Sequence, residues 1–147
     1  MQVIIGAEGE NRDGMGRWVE SRIRDYTLPR EYVALGVSMP AGQGVVIYHG
    51  FDKSVPDLKM DCAGEGAWLS REALRVFFAY PFIELSCRRV TAIAAKKNKR
   101  SRKFLARVGF IQEGVCRKAA PGGKDNAIIY GMLREECRWI GLDHGNT

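Results

Sequence analysis

The spacing of apolar residues changes repeatedly along this chain, and each change predicts an element. Gln2 to Ile5 is a short apolar run that reads as a strand. Asn11 or Asp13 can cap a helix to about Tyr26, with Met15, Trp18, Val19, Ile23 and Tyr26 near helical spacing. Pro29 separates it from Tyr32–Met39, which alternates as a strand does. Pro40-Ala41-Gly42-Gln43 is a turn and Gly44–Tyr48 returns from it, so the pair reads as a hairpin. Another extended segment runs from Leu58 to Ala63, and Gly64-Glu65-Gly66 then opens a loop. Ser70, or the residue before it, starts a helix through Tyr80 that buries Leu69, Ala73, Leu74, Val76, Phe77 and Phe78.

Arg89–Ala95 predicts the next strand, with Val90, Ile93 and Ala95 directed to the core. A helix follows from Lys99 to about Val108 and stops at Gly109, a left-handed C-cap. Phe110–Arg117 and Asn126–Leu133 are the last strands, joined across Pro121-Gly122-Gly123. The order is β, α, β-β-β, α, β, α, β-β. That is a mixed α/β chain without the strict alternation of a dinucleotide-binding fold.

The 147 residues suit one domain covering 1–147, which buries roughly two-thirds of its unfolded surface. With 46% hydrophobic and 27% charged residues, the composition excludes disordered and low-complexity classes. The longest apolar stretch, Val76 to Ile83, is too short for a membrane span and contains Pro81. Met1–Gly6 lacks the basic start of a signal peptide. Cys62, Cys87, Cys116 and Cys137 form no CxxC pair, so free thiols, no metal and a cytoplasmic location are expected.

Charge changes the picture. The net charge is +6, and nine bases with no acid lie between Arg88 and Arg107. The rest of the chain carries fourteen bases against 17 acids. One segment therefore makes the protein basic, and it calls for a negatively charged partner.

The series Glu72-Ala73-Leu74, Tyr80-Pro81-Phe82, Arg88-Arg89-Val90, Asn98-Lys99-Arg100-Ser101, Gly109-Phe110 and Glu113-Gly114 resembles the GCN5-related N-acetyltransferase (GNAT) superfamily. Ile128-Ile129-Tyr130-Gly131-Met132-Leu133 follows as a matching strand. The resemblance covers about residues 58 to 134 and is greatest to the ribosomal-protein-alanine N-acetyltransferase branch. It implies an α/β (α+β) GNAT fold, with a mixed, mostly antiparallel central sheet, helices on both faces and splayed central strands. It also implies acetyl-CoA as co-substrate, lying in the splay, and an amine acceptor that is a small molecule or a protein.

The resemblance further implies a pyrophosphate site at the turn from Gly64 to Ser70, where a helix start offers unpaired N–H groups. Gly66 matches the first glycine of the family's motif, Trp68 stands at the second, and the leading basic residue is absent. Ser70 or Arg71 can substitute as a phosphate donor, while Trp68 can equally cap the core. Asn98 and Ser101 fall where the family contacts the pantetheine arm, although Asn98 is also simply a good N-cap. Lys97, Lys99, Arg100 and Arg102 around them suit a ligand with three phosphates.

The implied reaction is attack of an amine on a thioester. A thiol titrates near ~8.5, so thiolate is a fair leaving group and a strong acid is optional. Leu105 stands where many relatives carry a tyrosine, which leaves Tyr130 or Ser101 as proton donor. Asp61 is the candidate base, with Glu65, Glu113 and His49 behind it. An α-amine titrates at ~7.7–8.0 and a lysine near ~10.4, so a site with a weak base suits a protein N-terminal α-amine better. Two other readings stay open: a GNAT-fold interaction protein without activity, and a nucleic-acid-binding domain. The last ranks lowest, because only Phe104 lies inside the basic segment to stack on a base. Oligomeric state has no signal in the sequence.

Overall fold

The computed structural model describes residues 1–141. Its elements run β1 (Gln2–Gly6), α1 (Gly9–Arg22), β2 (Val33–Met39), β3 (Gly42–Asp52), β4 (Asp57–Gly66), α2 (Arg71–Ala79), β5 (Arg89–Ala95), α3 (Lys99–Val108), β6 (Ile111–Cys116) and β7 (Ala127–Leu133). A π-helical turn, Tyr80–Glu84, extends α2 through Pro81, and a 3-10 turn, Arg134–Glu136, follows β7. The element order is the one the sequence predicts.

All seven strands form one sheet in the order β1-β2-β3-β4-β5-β7-β6. Every neighbouring pair is antiparallel except β4 and β5. Strand periodicity sends alternate residues to opposite faces, and both faces are covered. Leu58 and Met60 of β4, with Val90, Ala92 and Ala94 of β5, pack under Leu74, Phe77 and Phe78 of α2 and Leu105 and Val108 of α3. On the other face Val45, Ile47 and Ala63 pack under Met15 and Val19 of α1. Tyr48 is buried in the first core, and its hydroxyl donates to the Phe77 carbonyl at 2.6 Å.

Four local expectations change, the first being Leu69, which precedes the Ser70 cap of α2 and is 41% exposed instead of buried. Helix α1 begins before Asn11, at a Glu8 N-cap without a side-chain bond, and ends at Arg22. Asp25 adopts a positive φ of 59°, which turns the chain so that Tyr26 reaches the sheet instead of extending the helix. Gly64, Glu65 and Gly66 continue β4, paired with Gly44, Gln43 and Gly42. Glycine opposite glycine leaves room that an aromatic side chain then fills. Ile93 is 46% exposed, because it lies on the sheet face opposite Ala92 and Ala94, beyond the cover of α1.

Candidate active site in the splayed strands

The parallel ladder between β4 and β5 is short: Asp57 pairs with Arg89, Leu58 with Val90 and Lys59 with Thr91. Beyond that point β4 stays with β3 and β5 stays with β7. From Met60 and Ala92 onward the facing strand edges therefore lack each other as hydrogen-bond partners, and backbone groups there remain to be satisfied.

A polar network holds the fork of this gap. Thr91, buried to 8% exposure, donates to Asp57 Oδ1 at 2.9 Å and accepts from Arg89 Nη2 at 3.0 Å. Arg89 Nη2 also reaches Glu113 Oε1 at 2.8 Å, an ion pair that keeps the guanidinium firmly protonated. This bridge crosses β7 at Gly131, where a β-carbon would lie 2.6 Å from Arg89 Nη2. Glu113, a candidate base in the sequence, is thus tied to Arg89.

On the α1 face, just past the fork, Asp61 Oδ2 accepts from the Tyr26 hydroxyl at 2.6 Å and meets His49 Nε2 at 2.8 Å. Asp61 and His49 side chains are each 22% exposed. Burial, and then the Asp61 charge, push the Tyr26 phenol far up, so it stays a donor. Among the described residues Asp61 Oδ1 has no hydrogen-bond partner. Glu65, the remaining base candidate, is occupied by Arg22 at 2.6 Å and Gln43 at 2.7 Å. Tyr26 carries no functional signal in the sequence, where it reads as one more apolar position of a helix. His49 could be found by parity alone, since it shares the Asp61 face of neighbouring strands.

The α2–α3 face of the gap is apolar. Met60, Cys62, Trp68, Leu74, Phe77, Ala92 and Phe104 are among the side chains that leave about 30 Å³ free there. The Trp68 indole lies against Gly44 and Gly64, where a β-carbon on either would overlap it. It also meets Phe77 edge-on at 5.8 Å between centroids and Phe104 at 6.1 Å. Burial, followed by the nearby Asp61 charge, pushes the Cys62 thiol up to about 12.

The two helix starts flank this face. Ser70 Oγ caps α2 by accepting from Ala73 N–H at 3.0 Å, and Asn98 Oδ1 caps α3 by accepting from Ser101 N–H at 3.1 Å. Arg71, Lys97, Lys99 and Arg100 are exposed around these starts. Gly66 has φ +66°, and a β-carbon there would run into the Ala41 carbonyl, which accepts from Ala67 N–H at 2.9 Å. Its glycine character is therefore demanded by the β2–β3 turn. Tyr130, buried on β7 opposite Ala92, accepts from Arg102 Nε at 3.0 Å and keeps its own proton to donate. Arg102 is thereby drawn away from the outer row of cations. Among the described residues no group of three metal-ligating side chains forms and no helix is long and apolar enough to cross a membrane.

No family model matches the chain. It is 34% identical over 79 residues to YdaF of Bacillus subtilis (strain 168), a protein named as a ribosomal N-acetyltransferase. That match spans 52% of this chain and 42% of the relative, less than half of the relative's length. A solved structure of a protein described as an acetyltransferase is 25% identical, with a TM-score of 0.57 over 72% of this chain and 63% of its own. A spermidine N-acetyltransferase chimera of Vibrio cholerae SpeG and hSSAT superposes over 92% of this chain and 98% of its own. Its TM-score is 0.72 at 12% identity, a likeness of fold. The chain therefore resembles the GCN5-related N-acetyltransferases in sequence and has their fold.

Proposed function

We propose that this chain, acting as a single domain, is an acetyl-CoA-dependent N-acetyltransferase for primary amines, with a protein N-terminal α-amine as the favoured acceptor. The observation that carries the reading is the fork itself. Two strands part beyond Lys59 and Thr91, two capped helix starts lie on one side, and Asp61 stands on the other.

The residues fit the cofactor at its polar ends. First-turn N–H groups of α2 with Ser70 and Arg71 suit a pyrophosphate. Lys97, Lys99 and Arg100 suit the remaining phosphate, and the unpaired edges of β4 and β5 suit the amides of the pantetheine arm. Trp68 fills the space behind those edges, so the arm has to follow the edges themselves. When bound, acetyl-CoA supplies the thioester whose carbonyl the amine attacks.

In this reading Asp61 Oδ1 takes the proton of the attacking amine, while Tyr26 and His49 hold the carboxylate through Oδ2. An α-amine near ~7.7–8.0 is partly free at neutral pH, so it needs less of this base than a lysine does. Tyr130 and Ser101 lie on the sulfur side as donors to the thiolate. The YdaF likeness supports a ribosomal protein as acceptor, and the SpeG likeness keeps a polyamine as the small-molecule competitor.

Calorimetry with acetyl-CoA, followed by mass spectrometry of a peptide with a free N-terminus and of spermidine, tests this directly. Binding with acetylation at the peptide's α-amine is expected. Absence of heat and of thermal stabilisation at millimolar acetyl-CoA would leave the interaction-protein reading in its place.

A further inference from the structure

The basic segment holds more cations than one cofactor can use. On α3, Lys99, Arg100, Lys103 and Arg107 are exposed, while Leu105 and Val108 are buried. At about 100° per residue these four cations fall within an arc of about 100°, opposite the buried pair. Lys96 and Lys97 continue the row beyond the helix start, and both are exposed. None of the six forms an ion pair among the described residues. The acid seen beside the row is Asp125, which accepts from the Lys97 N–H at its N-terminal end.

Helix α1 shows what an ordinary solvated face looks like in this molecule. It carries Glu10, Asp13 and Glu20 against Arg12, Arg17 and Arg22, and balances to zero. The α3 row instead places Lys99 and Arg100 in the first turn of a helix, where the macrodipole opposes positive charge. Lys99, Lys103 and Arg107 also stand four residues apart with like charge, a spacing that local electrostatics disfavour, which points to an external anion.

Lys99 to Arg107 spans about 12 Å at 1.5 Å per residue, in four-residue steps of about 6 Å. The phosphates of a cofactor at the helix start leave Lys103 and Arg107 unused. The outer face offers only Ala106 as an exposed apolar residue, so it lacks the anchor that a protein interface or a lipid surface would require. Phe104 is turned inward against Trp68 and presents no ring for base stacking. A regular row of cations on a helix that carries no acid and no aromatic platform matches a phosphodiester backbone read by charge alone.

We propose that the outer face of α3 around Lys103 and Arg107, beyond the cations given to the cofactor phosphates, docks the sugar-phosphate backbone of a nucleic acid. The docking is independent of base sequence and sensitive to salt.

The test is fluorescence anisotropy with a labelled single-stranded RNA and a labelled duplex DNA, each of ~20 nucleotides or base pairs, at several salt concentrations. Binding of either is expected, weakening more than about 10-fold from ~50 to ~200 mM salt. Lys103→Glu with Arg107→Glu should weaken it by at least about 10-fold, and acetyl-CoA affinity, measured by calorimetry on the same sample, should stay within about twofold. Lys103→Ala with Arg107→Ala, checked by melting, separates lost charge from lost folding. No anisotropy change at low salt would overturn the proposal, as would undiminished binding by the charge-reversed variant. Displacement of the nucleic acid by poly-glutamate as readily as by unlabelled RNA would also overturn it, assigning the face to acidic polypeptides. Failure of acetyl-CoA binding alone would count against the proposed activity and leave the docking face standing.

Discussion

The two faces of the sheet are built by different means. On the α2–α3 face both helices start at a side-chain cap, Ser70 and Asn98, and α3 stops at Gly109 with φ 122°. On the α1 face the helix starts at Glu8 with no side-chain cap and has charges of both signs around it. Its place comes from close packing: a β-carbon on Gly16 would meet Leu28 at 2.9 Å, and one on Gly6 would meet Arg12 Cα at 2.7 Å. Local chemistry writes one face and tertiary contact writes the other. The proposed division of labour follows the same line, with cofactor ends on the locally encoded face and the proton acceptor on the assembled one.

The largest effect should come from the assembled face. Asp61→Asn keeps the hydrogen bonds to Tyr26 and His49 approachable but removes the proton acceptor, so kcat should fall by about 10²–10⁴-fold. A melting curve like the parent's and unchanged acetyl-CoA affinity should accompany the loss. Retention of full rate would move the base elsewhere.

Trp68→Ala should be the costliest change on the locally encoded face. It removes a partly buried indole packed between two glycines and two phenylalanines, at about 2–4 kcal/mol by denaturant unfolding. Gly66→Val should follow, at about 1–3 kcal/mol, because φ +66° strains a β-branched residue and its β-carbon faces the Ala41 carbonyl. Affinity for acetyl-CoA per folded molecule should be kept by this second variant. Selective loss of affinity with intact stability would return Gly66 to the pyrophosphate site.

The caps give a smaller and sharper contrast. Asn98→Ala should cost about 1 kcal/mol, whereas Glu8→Ala should cost close to nothing, since no cap bond is lost there. Equal effects would erase the distinction between the two faces. The smallest effect concerns selectivity: Lys99→Ala with Arg100→Ala should weaken CoA more than dephospho-CoA, read by calorimetry.

Legibility followed this division. Helix α3 begins and ends where its sequence says, because Asn98, the Leu105–Val108 pair and Gly109 act within one or two turns. Helix α1 departs from its expected bounds at both ends, since neither Glu8 nor Arg22 carries a local signal for a boundary. The loop expected at Gly64–Gly66 became strand because Gly42 and Gly44 stand opposite it, a coincidence that no local window contains. The ribosomal acetyltransferase likeness was legible because its residues lie in one continuous stretch. The grouping of Asp61 with Tyr26 was not, since 35 positions separate them.

Sequence alone therefore determined the element order, the two capped helices, the charge of α3 and the likeness to acetyltransferases. Each rests on interactions or patterns spanning a few residues. Tertiary structure decided where β4 and β5 part, that Trp68 fills the space behind them, and that Asp61 Oδ1 stays open while Oδ2 is held. Those features depend on strand pairing and on contacts between elements remote in the chain. Their geometry is set by which backbone groups find partners and which do not.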